Sequence, residues 1–511
     1  MAQVAGGRRD PATPAHDLVP AIAAPARFGR LRRWRPETVV ALAGAAVFSW
    51  QVGRPSPWWD EAITRDVVSR PAADILALST HIDLVHLAYY LLVHAVVGAG
   101  AGVTTLRMIS VVASGLTAAL LVRIGRELDQ RAVGVCAGLL YVVAPLASRY
   151  AQEARSYALV TMVATAATVA LLRALRRPWQ PGGWLAYAAL LVTTGVLNLL
   201  AFSLVLAHLV YVRASAPAAV RRSWWWAVLG AGAALTPLGV GAALQRRQVS
   251  WLPRPDFAGL TGFLSAQFVP TFAVLLLAAI AVAGLRRRGT VQPSTNRDAF
   301  LLGVSWALLP PAALWTISQV VPLFDWRYVV FCLPGTALAM ASLATLLRPL
   351  ATGAAVVALA LGGLHMQHIY RLPTTGHAED VRGAAMVIGE QSEPGDAVLF
   401  LPSSRRIFAL AYPKDFRNVD DVALRIDPTT SATLWGVDWD TAHTAAALWW
   451  HDRVWVVTGP ARLGETPGVM ERDNLRILTD GYRLVQRTEG VRFEVLLYVK
   501  GRPRSETVTA E

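Results

Sequence analysis

Residues 84–102 read LVHLAYYLLVHAVVGAGAG. The run is long and apolar enough to cross a bilayer, and whether it does so decides the topology of everything after it. If it spans, the segment with Arg123, Arg126 and Arg131 falls outside and every later Arg cluster is inverted. If it is instead a helix lying at the outer interface, five groups fall in the cytoplasm: Arg123/Arg126/Arg131, Arg173/Arg176/Arg177, Arg213/Arg221/Arg222, Arg286/Arg287/Arg288 and Arg348. The second choice satisfies the positive-inside rule along the whole chain. It also suits the two His and two Tyr of the run, which fit a wet boundary better than lipid.

The remaining apolar runs then predict about eleven spans, at 37–53, 106–122, 132–148, 156–172, 183–198, 199–212, 224–243, 263–284, 299–318, 328–346 and 350–369. Composition agrees. Of 511 residues, 54% are hydrophobic and only 16% charged, against about 25% charged in an ordinary soluble domain. A soluble enzyme, a disordered chain and a nucleic-acid-binding protein are excluded. The net charge of +14 is unevenly spread. Residues 1–370 hold 31 Lys and Arg against 14 Asp and Glu, and residues 371–511 hold 17 against 20. The basic excess therefore lies in the apolar part, where Arg marks cytoplasmic loops. Cys136 and Cys332 both lie inside apolar runs, which leaves no disulfide framework or Cys-based zinc site.

Four parts follow. Residues 1–36 read as a disordered basic cytoplasmic tail, and the Arg residues ahead of residue 37 make the first run a signal anchor with its start inside. Residues 37–370 form an all-α polytopic membrane domain whose first outer loop covers about 53–105. Residues 371–500 read as a small extracytoplasmic α/β domain. In it AEDVRGAAMVIGEQSEPGDAVLFLP predicts a helix, a Pro-Gly-Asp turn and a strand, with further strands at 454–457 and 491–499. It contains no nucleotide-binding motif. Residues 501–511 are a tail.

Chemistry-bearing residues concentrate in the outer segments. The first loop opens SPWWDEAITRDVVSR, with Asp60 and Glu61 just past the first span behind Trp58 and Trp59. Two readings stand: an interfacial Trp belt with solvated acids, or a carboxylate placed at the membrane surface as a general base. Further along, Asp83 and His86 are three apart and would share a face of a helix, with Tyr89 and Tyr90 behind them. A metal pair and a hydrogen-bonded pair that orients substrate are both open, the second favoured. The segment SRYAQEARSYA holds Arg149, Glu153, Arg155 and Tyr157 between two spans. Snorkelling side chains would explain it, and so would an anion site, because Arg grips phosphate with a bidentate fork. Arg254 in QRRQVSWLPRPDF, and Arg327 with Tyr328 in SQVVPLFDWRYVVF, lie on the same side of the membrane and could converge on one anionic ligand.

Taken together these motifs resemble the GT-C superfamily of polyprenyl-phosphate-sugar-dependent glycosyltransferases, in its protein-mannosyltransferase-like (family 39) branch, and most of all the actinobacterial members. The matching residues are W-D-E-A at Trp59–Ala62, D-x-V-H-x-x-Y-Y at Asp83–Tyr90, Y-A-Q-E-A-R-S-Y at Tyr150–Tyr157 and P-x-F-x-x-R-Y at Pro322–Tyr328. E-D-V-R-G-A-A at Glu379–Ala385 and P-G-D at Pro394–Asp396 complete them. Many relatives have H-P-P where this chain has His86-Leu87-Ala88. The resemblance implies an inverting transferase in the plasma membrane that moves a sugar, mannose in this branch, from a polyprenyl-phosphate donor to an acceptor hydroxyl on the extracytoplasmic face. The acceptor would be a glycan, a glycolipid or a protein. Asp60 would be the base. Arg155 and Arg327 would stabilise the leaving phosphate. Glu61, Asp83 and His86 would position acceptor or sugar, with Tyr89, Tyr90, Glu153, Tyr157, Arg254 and Tyr328 completing the substrate site. No cofactor is required, although some relatives carry a divalent ion here. The main rival is a polytopic lipid or glycan transporter or flippase, which would show inverted repeats and polar residues in mid-span; neither is visible. A structural membrane subunit would not need acids and Arg gathered on one side. A polymerase or ligase of undecaprenyl-linked glycans is a sister chemistry.

Overall fold

The protein is represented by a computed structural model that describes residues 35–98, 100–249, 252–267, 296–459 and 469–501. Each predicted span except 263–284 has an apolar helix in its place. These are α1 (Pro36–Ser49), α5 (Val103–Glu127), α6 (Arg131–Val143) with α7 (Pro145–Ala151), α8 (Tyr157–Arg176), α9 (Pro181–Leu197), α10 (Leu204–Ser215), α11 (Ala218–Leu244), α13 (Arg297–Ile317), α14 (Leu333–Ala344) and α15 (Pro349–Ile369). Of 263–284, only the start is described, at the end of α12 (Phe257–Ala266). The rest of that span, the Arg286–Arg288 cluster and nearly all of both terminal tails lie outside the described residues. Five of the described helices are long and apolar enough to cross a membrane, and α6 with α7 would make a sixth. The chain is a multi-pass membrane protein. The α6–α7 pair is bent by 67°, because Pro145 begins α7 and disfavours helical backbone at Ala144. Helices α5 and α6 meet at Gly125 and Gly134, where a Cβ on Gly125 would stand 2.4 Å from the Gly134 Cα. Hydrocarbon supplies no hydrophobic drive between helices, and such small residues let the backbones touch instead.

The 84–102 run does not add a span. It forms a short 3-10 turn at Leu84–His86 and then α4 (Leu87–Val97), in a loop that also holds α2 (Trp59–Ser69) and α3 (Ala72–His81). The ion pairs settle its parity. Arg126 at the end of α5 pairs with Glu37 at the start of α1, and Glu127 receives Arg123 (2.8 Å) and Arg173 (2.9 Å). The start of α1 therefore lies beside the ends of α5 and α8. Had 84–102 crossed the bilayer, the end of α5 would lie on the opposite side. One part of the expectation is corrected: Tyr89 and Tyr90 are 1% exposed, packed in protein and not at a wet boundary.

At the other end of α1, Gln152 donates to the carbonyls of Phe48 and Trp50, and Arg371 to those of Val47 and Trp50. The loop between α7 and α8 and the chain leaving α15 thus gather where α1 ends.

From there the chain enters an α/β layer. It comprises α16 (Val381–Gln391), β1 (Asp396–Leu401), α17 (Ile407–Ala411), β2 (Val419–Asp421), β3 (Leu424–Ile426), β4 (Val437–Asp438), α18 (Thr441–Leu448), β5 (Arg453–Thr458), α19 (Val469–Gly481), β6 (Tyr482–Gly490) and β7 (Phe493–Lys500). The main sheet has the order β2-β1-β5-β7-β6, parallel among β2, β1 and β5 and antiparallel beyond. The two-residue period of a strand divides β1 between two cores. Ala397, Leu399 and Leu401 join a cluster with Leu448 and Tyr498, while Val398 and Phe400 face Ile407, Phe408 and the core continuous with the membrane helices. One sheet face is thereby committed to the segment that carries the acidic motif.

Candidate active site

Helix α2 begins directly after Trp58, so Asp60 and Glu61 sit in its first turn, where the backbone N–H groups favour negative charge. A helix turns about 100° per residue, and the two neighbours point apart. Asp60 faces outward, its side chain 19% exposed. Its Oδ2 accepts from Arg327 Nη1 at 2.9 Å and lies 3.7 Å from Arg155 Nη2.

Glu61 faces inward and is fully buried. Its Oε1 accepts from Arg107 Nε (2.8 Å) and the Ala154 N–H (2.7 Å), and its Oε2 from Arg107 Nη2 (2.6 Å), with His377 Nδ1 at 3.2 Å. Burial pushes this carboxyl up, but the Arg107 charge and hydrogen bonds, with His377, outweigh it and hold it below the usual carboxylate range. Both oxygens are saturated. The expectation that Glu61 touches substrate is corrected: it is the pin that joins α2, α5, the Gln152–Ser156 turn and the His377 segment.

Arg155 is 5% exposed. Its Nη2 contacts His86 Nε2 at 2.9 Å, and its Nη1 reaches Thr64 Oγ1 (3.3 Å) and Tyr90 OH (3.4 Å). Tyr90 in turn donates to Asp83 Oδ2 at 2.8 Å. Because a guanidinium only donates, His86 Nε2 is the acceptor and the ring is neutral. Burial first, and then the charges of Arg155 and Arg327, hold its pKa well below the ordinary value. Burial likewise raises the Asp83 carboxyl, against the pull of Arg155 and Tyr90. The shared helical face expected for Asp83 and His86 is not found. Asp83 has φ +61 and precedes the 3-10 turn, so the two side chains serve different partners. A cation on His86 Nε2 would meet the Arg155 guanidinium. Among the described residues no group of three or more His, Cys, Asp or Glu side chains is placed to hold a metal.

Arg327 lies in the turn Trp326–Tyr328, which Asp325 caps by accepting from the Arg327 N–H at 3.0 Å. Its guanidinium stands 5.6 Å from the Trp58 ring centroid and 5.3 Å from that of Tyr328, a cation–π setting that fixes its direction. Glu153 is 1% exposed, with Arg149 at 3.3 Å and, among the described residues, no hydrogen bond to either oxygen. Burial raises its carboxyl to about 7, Arg149 opposing and Glu61 and Asp60 adding to the rise. Tyr157 is buried against Tyr150, and Tyr89 against Tyr90.

The structure thus brings Asp60, Asp83, His86, Tyr90, Arg155, Arg327 and Tyr328 into one cluster. It does not bring Arg254 there. That residue is exposed, and no hydrogen bond or ion pair ties it to the cluster among the described residues. Sequence reasoning gave no role to Arg107, His377, Glu379 or Arg405. Arg107 carried a signal, since an Arg inside an apolar span demands a partner; Glu379 was noted only as the start of the E-D-V-R-G-A-A motif, and His377 and Arg405 carried no signal.

No protein-family model matches the chain, and no curated protein matches it. Among solved structures it is similar to ArnT from Cupriavidus metallidurans in the apo state, with 14% identity and a TM-score of 0.58, over 90% of this chain and 97% of that one. It is also similar to ArnT from Cupriavidus metallidurans bound to undecaprenyl phosphate, with 13% identity and a TM-score of 0.53, over the same shares. At these identities the likeness is one of fold. The all-α polytopic membrane domain with a small C-terminal α/β layer, expected from the sequence, is the architecture observed.

Proposed function

We propose that the protein is an inverting glycosyltransferase that uses a polyprenyl-phosphate sugar as donor. The observation that carries this reading is the Asp60 carboxylate held between Arg327 and Arg155 at the end of the first span. The fold shared with a protein solved with undecaprenyl phosphate supports a lipid phosphate as the anion. Asp60 takes the proton of the acceptor hydroxyl. The acceptor oxygen bonds to the anomeric carbon as the bond from that carbon to the phosphate oxygen breaks, and the configuration inverts. The electron pair leaves on the lipid phosphate, where Arg327 and Arg155 meet the charge. Arg155 Nε is buried with no hydrogen-bond partner among the described residues, a donor available to a phosphate oxygen. His86 and Tyr90 orient that guanidinium, and Asp83 orients Tyr90. Mannose is the sugar that the sequence resemblance implies. The acceptor is a glycan, a glycolipid or a protein.

Membranes containing the protein, given labelled polyprenyl-phosphate mannose, should release the lipid phosphate and transfer the label. Folded protein that releases no lipid phosphate from polyprenyl-phosphate mannose or from any other polyprenyl-phosphate sugar supplied would sink the reading, and activity with another sugar alone would correct only the donor. Arg155→Lys should lower turnover about 10-fold, because Lys keeps the charge and loses the fork. The check is steady-state transfer at saturating donor.

The positive-inside bias supports a cytoplasmic N-terminus, with residues 37–370 as the catalytic membrane domain and 371–500 outside. A reporter fused after Arg131 should report the cytoplasm; an extracytoplasmic signal would overturn this orientation.

A further inference from the structure

The C-terminal layer grips the segment that carries Asp60. Helix α2 has no side-chain cap of its own, as its N-cap position is Trp58. The free N–H of Trp59 donates instead to Glu379 Oε2 at 2.8 Å, across 320 residues of sequence. The other oxygen, Glu379 Oε1, lies 3.3 Å from Arg405 Nη1, which also donates to the Arg492 carbonyl at 3.1 Å. The Arg405 guanidinium stands 5.2 Å from the Trp59 ring centroid and 5.6 Å from that of Phe408. Ahead of the helix, the Arg382 N–H donates to Ser56 Oγ at 3.0 Å, and the Ser56 N–H to the Pro373 carbonyl at 2.7 Å. Behind it, Arg70 pairs with Asp66 (2.7 Å) and donates to the Thr433 carbonyl (2.9 Å). Both ends of the catalytic helix are thus held by residues beyond 370, and the residue next to Asp60 is held by a buried carboxylate.

We infer that Glu379, locked by Arg405, is a positioning residue: it caps α2 from the C-terminal layer and thereby sets the Asp60 carboxylate against Arg327 and Arg155. This rests on the assignment of Asp60 as the base. A shift of about 1 Å in a catalytic group costs on the order of 10²-fold in rate, so a cap at the adjacent residue is felt in turnover.

The test compares Glu379→Ala with Glu379→Gln in the full chain. Gln keeps an oxygen for the Trp59 N–H but loses the ion pair with Arg405; Ala loses both. Glu379→Ala should lower kcat per folded enzyme roughly 10- to 100-fold with donor KM nearly unchanged. Glu379→Gln should recover most of that loss. A role in stability alone would remove folded protein in both variants and leave kcat per folded molecule at the wild-type level. Amide hydrogen exchange reads the cap directly. The Trp59 amide should exchange about 10-fold faster in Glu379→Ala, the scale of a lost N-cap, with the middle of α2 unaffected. Unchanged exchange at Trp59, wild-type kcat in Glu379→Ala, or a Gln variant as impaired as Ala would each overturn the inference. If the wild-type protein transfers no sugar, the transferase reading fails by itself, and exchange at Trp59 decides the cap.

Discussion

Asp60→Asn should reduce sugar transfer about 10²- to 10⁴-fold, the range a positioned general base supplies, and leave the amount of folded protein unchanged. The amide keeps the shape of the carboxylate and an oxygen for Arg327, while Arg155 keeps His86, Thr64 and Tyr90 and Arg327 keeps Asp325 as partners. A second effect runs in the opposite direction. Asp60 engages Arg327 at 2.9 Å and approaches Arg155, the two cations assigned to the phosphate. An incoming lipid phosphate has to share or displace that contact. With Asn at position 60 the competing charge is gone, and polyprenyl phosphate should bind about 10-fold more tightly, the scale of one charge-assisted hydrogen bond. Turnover and lipid-phosphate affinity measured on the same purified variant check both halves. Near-normal turnover removes the base assignment. Weaker lipid binding removes the competition for Arg327.

The second large effect is on stability. Arg107→Met should destabilise the protein by roughly 3–5 kcal/mol, the cost of stranding one member of a buried ion pair. Arg107 is fully buried, and it donates to both Glu61 oxygens and to the carbonyls of Val52 and Pro55. Met fills similar space but supplies none of these donors. The loss should be largest near neutral pH. The Glu61 pKa lies below that of an unfolded carboxyl, so its pairing adds stability that is fully present above the unfolded value and fades as pH falls through the folded one. In the variant burial no longer meets Arg107 and holds the Glu61 carboxyl above its unfolded value, so the pH dependence that Glu61 contributes should reverse, with stability falling as pH rises toward neutral. Thermal unfolding in detergent at neutral and acidic pH checks this. The double change Arg107→Met with Glu61→Leu should recover part of the loss, because it removes both charges.

The membrane helices were legible because the bilayer makes apolar runs compulsory, and the parity of 84–102 followed from Arg placement alone. The Asp60–Arg155–Arg327 cluster was legible as three loops on one side of the membrane, though not as a direct ion pair. Three things were hidden for identifiable reasons. Glu61 looked like the twin of Asp60, and only the helical turn between them separates a solvent-facing acid from a saturated one. Asp83 and His86 looked like an i, i+3 pair, but the left-handed backbone at Asp83 breaks the helix between them. Strand β6, YRLVQRTEG, is a polar edge strand with no apolar alternation to announce it, and β2, β3 and β4 are two or three residues long. Arg254 shared a side and a charge with the site, and neither feature fixes distance.

The contact between Trp59 and Glu379 also sets an order in time. Trp59 leaves the ribosome 320 residues before its partner, so the acidic helix is inserted, with its span beside it, long before its cap has been made. During that interval the chain holds a membrane domain with an unfinished catalytic turn. Delivery of the C-terminal layer is what caps the turn that carries Asp60. A chain cut short after residue 370 would keep its membrane helices and lack that cap.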